Sequence, residues 1–557
     1  MFFSVLFHKW IGTYSTYINI TADKGRFSIT MAKKAKVEKE IRLEDILFKC
    51  RDLLRGKAPM TDKRDLLLTL VFFKFVGDRF EDRKAEILEE YKDKPELAKI
   101  KIERPDSYNM FGVFYLPDEC RWSYLKNVEA KTLAVEFDNA IRNLDQNIPA
   151  LKNALPSQIF TSTGLEPAVL KSVIDEVNKI DKSKFNDKDL IGRVYEYFLQ
   201  AFAINADKEE GEFYTPQSIV ELIATLIEPY DGTIYDPCCG SGGMFVQSTK
   251  FIEAHGGNKL KISVYGQENE PSTYRLAKMN LAVRGISYNL GDRPASTFTN
   301  DQHKGRLMDY IMANPPFNLK KWRTSDTLID DYRWKGYGVP PESNANYAWI
   351  LHILSKMNVT KGIAGFLLAN GALGDEDTIA IRQKLIENDK VEAIFVLPRE
   401  MFYTTDISVT LWILNNNKKG GLWHERQLRD RSGEILFVDL RTWNQNVYEK
   451  KYVKFTDEQI ESIHSIYTDW QTWDIAKGKY AKPELYYSAT IDEIKANNWS
   501  LVPSRYIEFV DRDSDIDYET VMQESAAAVS DLLVRQKENI ANLQKAFEVL
   551  GFKLDKK

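Results

Sequence analysis

Cysteine is scarce: Cys50, Cys120, Cys238 and Cys239 are the four found in 557 residues. They are too few for a disulfide framework and lack the two CxxC pairs of a zinc site, so a reducing cytoplasm suits the chain and no metal is expected. No run reaches the ~20 apolar residues needed to span a bilayer. The opening stretch from Met1 to Trp10 lacks the basic n-region, full apolar core and small-residue cleavage site of an export signal, so neither export nor membrane anchoring is expected. Positive charge is short too, the net charge being −5. Phosphate contacts need clustered lysine and arginine, which excludes a protein that wraps nucleic acid unaided. Any grip on DNA must be local or shared with a partner. Internal repeats and low-complexity tracts are also missing.

What is present is an ordinary globular composition, 43% hydrophobic and 28% charged, in a chain too long for one core. Several domains are therefore expected. Residues 1–37 read as a disordered extension or an upstream start, because Met31, followed by Lys33, Lys34 and Lys36, offers a second one. Residues 38–185 read as a helical domain: Ile46, Leu47, Cys50, Leu53 and Leu54 share one helical face, and Leu66, Leu70, Val71, Phe75 and Phe80 mark a buried helix. From 186 to 420, strand-like runs alternate with helices such as Pro271–Val283 and Tyr347–Met357. The strands are expected at Thr233–Asp236, Ser263–Glu268, Ser287–Asp292, Tyr310–Ala313, Ile363–Leu368, Val391–Leu397 and Val409–Leu414. That alternation predicts an α/β fold with a doubly wound, mostly parallel sheet, whose ligands sit at the carboxyl ends of the strands. Residues 421–513 carry a weaker signal, with a strand at Glu434–Leu440, a helix near Thr456–Tyr467 and a loop-rich remainder, and extend this domain. A long polar helix within 514–557 closes the chain.

The unusual residues fall at those strand ends. Asp236-Pro237-Cys238-Cys239-Gly240-Ser241-Gly242-Gly243 follows one strand and precedes a helix. Its glycines allow a sharp turn and close backbone approach, and the helix start offers free N–H groups, so a nucleotide-like cofactor fits. A plain glycine-rich turn would look the same in isolation, and the absence of a following Gly-Lys-Ser/Thr excludes a phosphate-binding P-loop. One βαβ unit later, Glu268 ends the next strand, where a carboxylate accepts hydrogen bonds from ribose hydroxyls.

Asn314-Pro315-Pro316-Phe317 then follows the Tyr310–Ala313 strand. The lone pair of an exocyclic aryl amine is delocalised into its ring, and two acceptors that draw on its hydrogens make it a better nucleophile. The Asn314 side-chain oxygen and the Pro315 carbonyl can be those acceptors. Pro316 stiffens the turn, and Phe317 offers a face on which an extruded base stacks. Upstream, Glu212-Phe213-Tyr214-Thr215-Pro216-Gln217 opens a helix, with Thr215 suited to the N-cap and Pro216 to the first helical position.

Phe-Tyr-Thr-Pro, Asp-Pro-x-x-Gly-Ser-Gly-Gly, Gly266-Gln267-Glu268, Gly291-Asp292 and Asn-Pro-Pro-Phe, in that order, resemble the N6-adenine DNA methyltransferases. The chain is similar in particular to the modification subunits of type I restriction-modification systems. Residues 65–82, Tyr195 to Leu199, Asn344-Ala345-Asn346, Ile381 to Leu385, Val396-Leu397-Pro398, Met401 to Thr405 and Ser504-Arg505-Tyr506 extend the likeness over about Glu40 to Leu554. Leu368-Ala369-Asn370-Gly371 departs from it, the family often having proline before the glycine.

The resemblance implies a class I S-adenosylmethionine-dependent methyltransferase fold with an N-terminal helical domain and a C-terminal coiled-coil-like helix. It implies cofactor contacts at Glu212, Phe213, Tyr214, Thr215, Pro216, Gln217, Asp236, Gly240, Ser241, Gly242, Gly243 and Glu268, with Asp292 near the cofactor's adenine. Asn314, Pro315, Pro316 and Phe317 would hold the target adenine. The implied partners are double-stranded DNA, a specificity subunit, a second modification subunit and a motor-nuclease restriction subunit.

Two further features bear on function. Lys320, Lys321, Trp322, Arg323, Arg333, Trp334 and Lys335 mix basic and aromatic character in a long loop, which suits a DNA backbone and an extruded nucleotide; a solvated loop holding two buried tryptophans is the alternative. In the closing helix, Met522, Ala526, Val529, Leu533, Gln536, Ile540, Leu543, Phe547 and Leu550 form a heptad seam, either a docking surface for a partner coiled coil or a face folded onto this chain. Other planar amines and amides, such as cytosine N4, an RNA base or a glutamine side chain, fit the same acceptor geometry, and a catalytically silent DNA-binding scaffold is the rival outside the enzyme class.

Overall fold

The computed structural model describes residues 5–11, 14–23, 26–33, 42–181, 190, 193–194, 197–198, 215–255, 261–402, 407–448, 452–510 and 518–549. The N-terminal helical domain is built around α1, Met60–Glu90. Leu66 to Phe75 is buried on every side of that helix, as an all-round apolar sequence requires. Leu43–Leu53, α2 (Leu133–Asn147) and Pro167–Val177 pack about it, and Phe73 meets Phe137 of α2 edge-to-face at 5.4 Å.

The second unit is a ten-stranded sheet. Its strands in chain order are β1 (Gly232–Asp236), β2 (Ile262–Gly266), β3 (Tyr288–Asn289), β4 (Tyr310–Ala313), β5 (Ile363–Ala369), β6 (Val391–Val396), β7 (Val409–Asn415), β8 (Glu434–Asp439), β9 (Ala481–Lys482) and β10 (Tyr486–Thr490). The spatial order is β9-β10-β8-β6-β7-β5-β4-β1-β2-β3. The pairs from β5 through β4, β1 and β2 to β3 are parallel, as is β8 with β6, while β7 runs antiparallel to both its neighbours and β10 to both of its own. Strands β5, β6 and β7 are buried at every position, which is why they read as largely apolar runs, with the buried Glu392 of β6 paired to Arg431.

Helices cover both faces. On one side lie α3 (Gln217–Ile227), α4 (Gly243–Ala254) and the later Asp457–Thr472; on the other lies α6 (Asn346–Lys356). Between α4 and α6 in sequence comes α5 (Pro271–Val283), which belongs to two cores at once. Leu276, Met279, Ala282 and Val283 lie in the core of the helical domain, and Tyr274, Ala277 and Leu281 in that of the sheet. The chain runs outward from β1 to β2 and β3, then returns to β4 on the other side. The carboxyl ends of β1 and β4 therefore flank a topological switch point, the place where such sheets bind ligands.

Three observations depart from the sequence reading. Val5–Ile11, Tyr14–Asp23 and Arg26–Lys33 pair as a three-stranded antiparallel sheet where an extension without structure was expected; their alternating β-branched and aromatic residues favour strands. The expected strand Ser287–Asp292 shrinks to Tyr288–Asn289, because the Asn289 side chain turns back to accept from Gly291 N at 3.0 Å. The stretch read as loop-rich supplies β9 and β10, so the sheet continues well past residue 420. No helix among the described residues is long and apolar enough to cross a membrane.

Candidate functional site

The loop after β1 is shaped by its own first side chain. Asp236 is buried and its Oδ1 accepts from Cys238 N at 3.0 Å. Burial, with the neighbouring Glu268 charge, pushes this carboxyl up to about 7. Gly240 (φ +52°) and Gly242 (φ +82°) hold left-handed conformations that other residues adopt only with strain. Gly242 is also the N-cap of α4. A Cβ built on Gly240 or Gly243 would meet nothing within 4 Å, so this stretch of loop faces space that a ligand can fill. The first-turn N–H groups of α4 stand at the same place.

The neighbouring loops are laced to this one. Cys239 N donates to Gln267 O and Gln267 N to Asp236 O, both at 3.0 Å. Asn280 of α5 donates from Nδ2 to Ser241 O at 2.7 Å. Glu268 Oε2 accepts from Gly240 N at 3.0 Å, while its Oε1 accepts from Asn269 N and Glu270 N at 2.8 and 2.9 Å. The predicted ribose acceptor is thus fixed against the glycine loop, with both lone pairs of Oε1 turned to the backbone just after it. Gln267, fully buried, donates from Nε2 to Ala295 O and Asn300 O at 3.0 and 2.8 Å and accepts from Gln302 N at 3.1 Å. It thereby fixes the segment that presents Asp292, an exposed residue whose N–H donates to Gln302 Oε1 at 2.8 Å.

Across the switch point, Asn314 follows β4. Its Nδ2 donates to Thr215 Oγ1 at 2.8 Å. Its Oδ1 is buried and has no hydrogen-bond partner among the described residues. Thr215 does not cap the following helix as expected: Pro216 takes the N-cap, Gln217 begins α3, and the threonine hydroxyl holds Asn314 instead. Glu212, Phe213 and Tyr214 lie outside the described residues.

Pro315 is buried and Pro316 half-buried. Phe317, nearly buried, meets Phe402 edge-to-face at 5.9 Å. Asn318, at φ +54°, accepts on Oδ1 from Asn344 and Asn346 at 3.1 and 2.9 Å and donates its N–H to Asn346 Oδ1 at 3.1 Å. Three amides therefore fix the exit of the Asn314–Phe317 turn.

Several of these residues escaped the sequence reading. Gln267 stood beside a candidate without a role of its own, although a polar residue at a buried strand end was a signal. Asn280 and Asn318 carried none that one chain reveals, and Phe402 stood only within the Met401 to Thr405 likeness, without a role of its own. The basic-aromatic loop is corrected in part. Trp322 and Trp334 are buried and donate to Pro341 O and Leu328 O at 2.9 and 2.6 Å. Arg333, also buried, donates to Thr297 O, Phe298 O and Asp331. These three brace the loop, and Lys320, Lys321 and Lys335 are left exposed.

Residues 186–515 match the family model described as N-6 DNA Methylase. The chain belongs to this family. Residues 43–177 match the model described as HsdM N-terminal domain, so the N-6 DNA methylase carries the helical domain that goes with it. It is 33% identical to the type I restriction enzyme MjaIX methylase subunit of Methanocaldococcus jannaschii over 91% of each chain. It is 41% identical to the type I restriction enzyme HindI methylase subunit of Haemophilus influenzae over 66% of this chain and 79% of that one. Among solved structures it is similar to the type I restriction-modification methyltransferase subunit from Streptococcus thermophilus, with a TM-score of 0.68 at 23% identity over 83% of this chain and 98% of that one. The chain thus has the class I methyltransferase architecture, with its candidate residues along the carboxyl edge of the sheet.

Proposed function

We propose that this chain is the modification subunit of a type I restriction-modification complex and methylates the N6 amine of an adenine swung out of double-stranded DNA, using S-adenosylmethionine. The observation that carries the reading is Asn314: a buried amide oxygen without a hydrogen-bond partner among the described residues, on a side chain whose NH2 is already committed to Thr215. Leaving a buried acceptor unsatisfied costs roughly 1–3 kcal/mol, and an aryl amine donating to it would recover that loss. Phe317 beside it supplies an aromatic surface for the base.

The residues present fit the cofactor. Gly240 and Gly243 leave open space beside the start of α4, Glu268 stands against the glycine loop where it would accept from a ribose hydroxyl, and Asp292 stands exposed past the next strand end. Thr215, Pro216 and Gln217 would close the side nearest Asn314. The cofactor, when bound, supplies an electrophilic methyl group on a sulfonium. The chain's own residues orient the amine, exclude water from it and hold its N–H.

DNA, a specificity subunit, a second copy of this chain and a motor-nuclease subunit are the proposed partners. The helix Tyr518–Val549 supports the second of these, since Met522, Val529, Leu533, Ile540 and Leu543 are each at least half exposed along its seam. The deciding experiment is co-expression with the neighbouring genes, followed by mass spectrometry of the modified base and genome-wide mapping. N6-methyladenine at a defined sequence, lost in Asn314→Ala, is expected. N4-methylcytosine, or no methylation at all, would overturn the reading.

A further inference from the structure

A cavity of about 540 Å³ lies at the junction of the helical domain and the sheet. Leu155, Ser157 and Gln158 line it from the helical domain, and Pro271, Arg275 and Asp292 line it from the carboxyl edge of the sheet. Its volume lies within the roughly 300–1,000 Å³ of small-ligand sites. Two independent features mark it as built. Arg275 Nε is buried with no hydrogen-bond partner among the described residues, and the nearest counter-charge to this guanidinium, Asp65 of the helical domain, is 3.7 Å from Nη2. The wall from which Arg275 comes is α5, whose two faces are embedded in two different cores, so the cavity's sides are held at a fixed separation.

Strand order says what the cavity would receive. Along the carboxyl edge the sequence is β4, β1, β2, β3, with steps of about 4.8 Å between neighbours. The order of candidates along it is Asn314, the glycine loop, Glu268 and Asp292. A nucleoside with its ribose on Glu268 and its methyl-bearing end toward Asn314 extends its base past β3, to Asp292 and the mouth of this cavity. We infer that the helical domain completes the adenine end of the cofactor site, with Leu155, Ser157 and Gln158 as its outer wall and Arg275 as a donor to the purine ring. This rests on the proposed use of S-adenosylmethionine. It makes the helical domain a direct cofactor-binding element, and by linkage ligand occupancy strengthens its docking on the sheet.

Ser157 and Gln158 are exposed on the rim, so Ser157→Trp narrows the cavity without entering a core. Calorimetry on the full chain should show Ser157→Trp weakening both S-adenosylmethionine and 5′-methylthioadenosine at least tenfold, with an unchanged melting temperature in the absence of ligand. Hydrogen exchange of the wild-type chain should show residues 153–160 protected by either ligand. Should Ser157→Trp fail to fold, the wild-type exchange pattern decides alone. Affinity within twofold of wild type, together with unprotected 153–160, overturns the inference; if Glu268→Ala loses binding in the same assay, the proposed function survives it. A wild-type chain that binds neither ligand overturns both.

Discussion

Asn314 and Thr215 are joined by a 2.8 Å hydrogen bond across 99 residues of chain. In it the amide NH2 is the donor and the threonine hydroxyl the acceptor. With the NH2 held by the threonine hydroxyl, the oxygen is the atom left for a ligand, and an acceptor is what an aryl amine requires.

Asn314→Ala should therefore lower single-turnover methylation at least a hundredfold, a size typical of losing one preorganised polar group in a closed site, while cofactor affinity stays within a few fold. Thr215→Val, which removes only the orienting hydroxyl, should cost about tenfold, the worth of one hydrogen bond, and Thr215→Ser should restore the rate. Wild-type turnover in Asn314→Ala would remove this residue from the mechanism.

Glu268 is set to show the converse split. Its carboxylate accepts from three backbone N–H groups, one of them on the glycine loop, so Glu268→Ala should weaken S-adenosylmethionine binding by about 1–3 kcal/mol, roughly ten- to a hundredfold. Glu268→Gln, keeping one oxygen, should fall between the two. Calorimetric affinities equal to wild type in both variants would contradict the role.

How far these residues were legible depends on where their signal lies. Asn314 to Phe317 and the glycine loop could be read because their chemistry is local: a rigid turn or a tight loop directly after a strand. Strands β5, β6 and β7 were readable because burial on both faces favours a mostly apolar run. Gln267, Asn280 and Asn318 were not, since each acts on backbone or side chains brought near by the fold. Arg333 was misread for the same reason: a basic residue in a loop suggests phosphate, and only the structure shows its guanidinium committed to Thr297 and Phe298 carbonyls. Strand β9 escaped because it is two residues long and exposed.

Acid should loosen the far side of the sheet from the site. Glu228, buried at the end of α3, accepts from Arg426, Trp423 and His464. Burial alone would raise its carboxyl, but hydrogen bonds and charge from His464 and Arg426 outweigh it and hold the group at about 2. A folded-state value below the unfolded one, near 4.3, means a stabilisation that is complete above about pH 4.3 and lost as pH falls toward 2, on the order of 3 kcal/mol. Glu228→Gln should melt at a lower temperature than wild type at pH 6, with most of the gap gone by pH 2.5. A gap that stays constant over that interval would mean the carboxylate's charge contributes nothing.

The closing helix carries the last prediction. Among its seam residues, Met522 is 68% exposed, Val529 55%, Leu533 53%, Ile540 50% and Leu543 56%, so the apolar stripe is not covered by the chain's own core. At 1.5 Å per residue, Tyr518–Val549 extends about 48 Å. A heptad stripe of that length facing water favours association with another helix. Truncation after Asp513 should therefore leave melting temperature and S-adenosylmethionine affinity unchanged, while abolishing co-purification with the specificity subunit and, with it, DNA methylation. Leu533→Glu, a charge placed mid-seam on an exposed face, should reproduce the loss without shortening the chain. A truncated chain that still assembles and modifies DNA at wild-type rates would show that the helix serves something other than this interface.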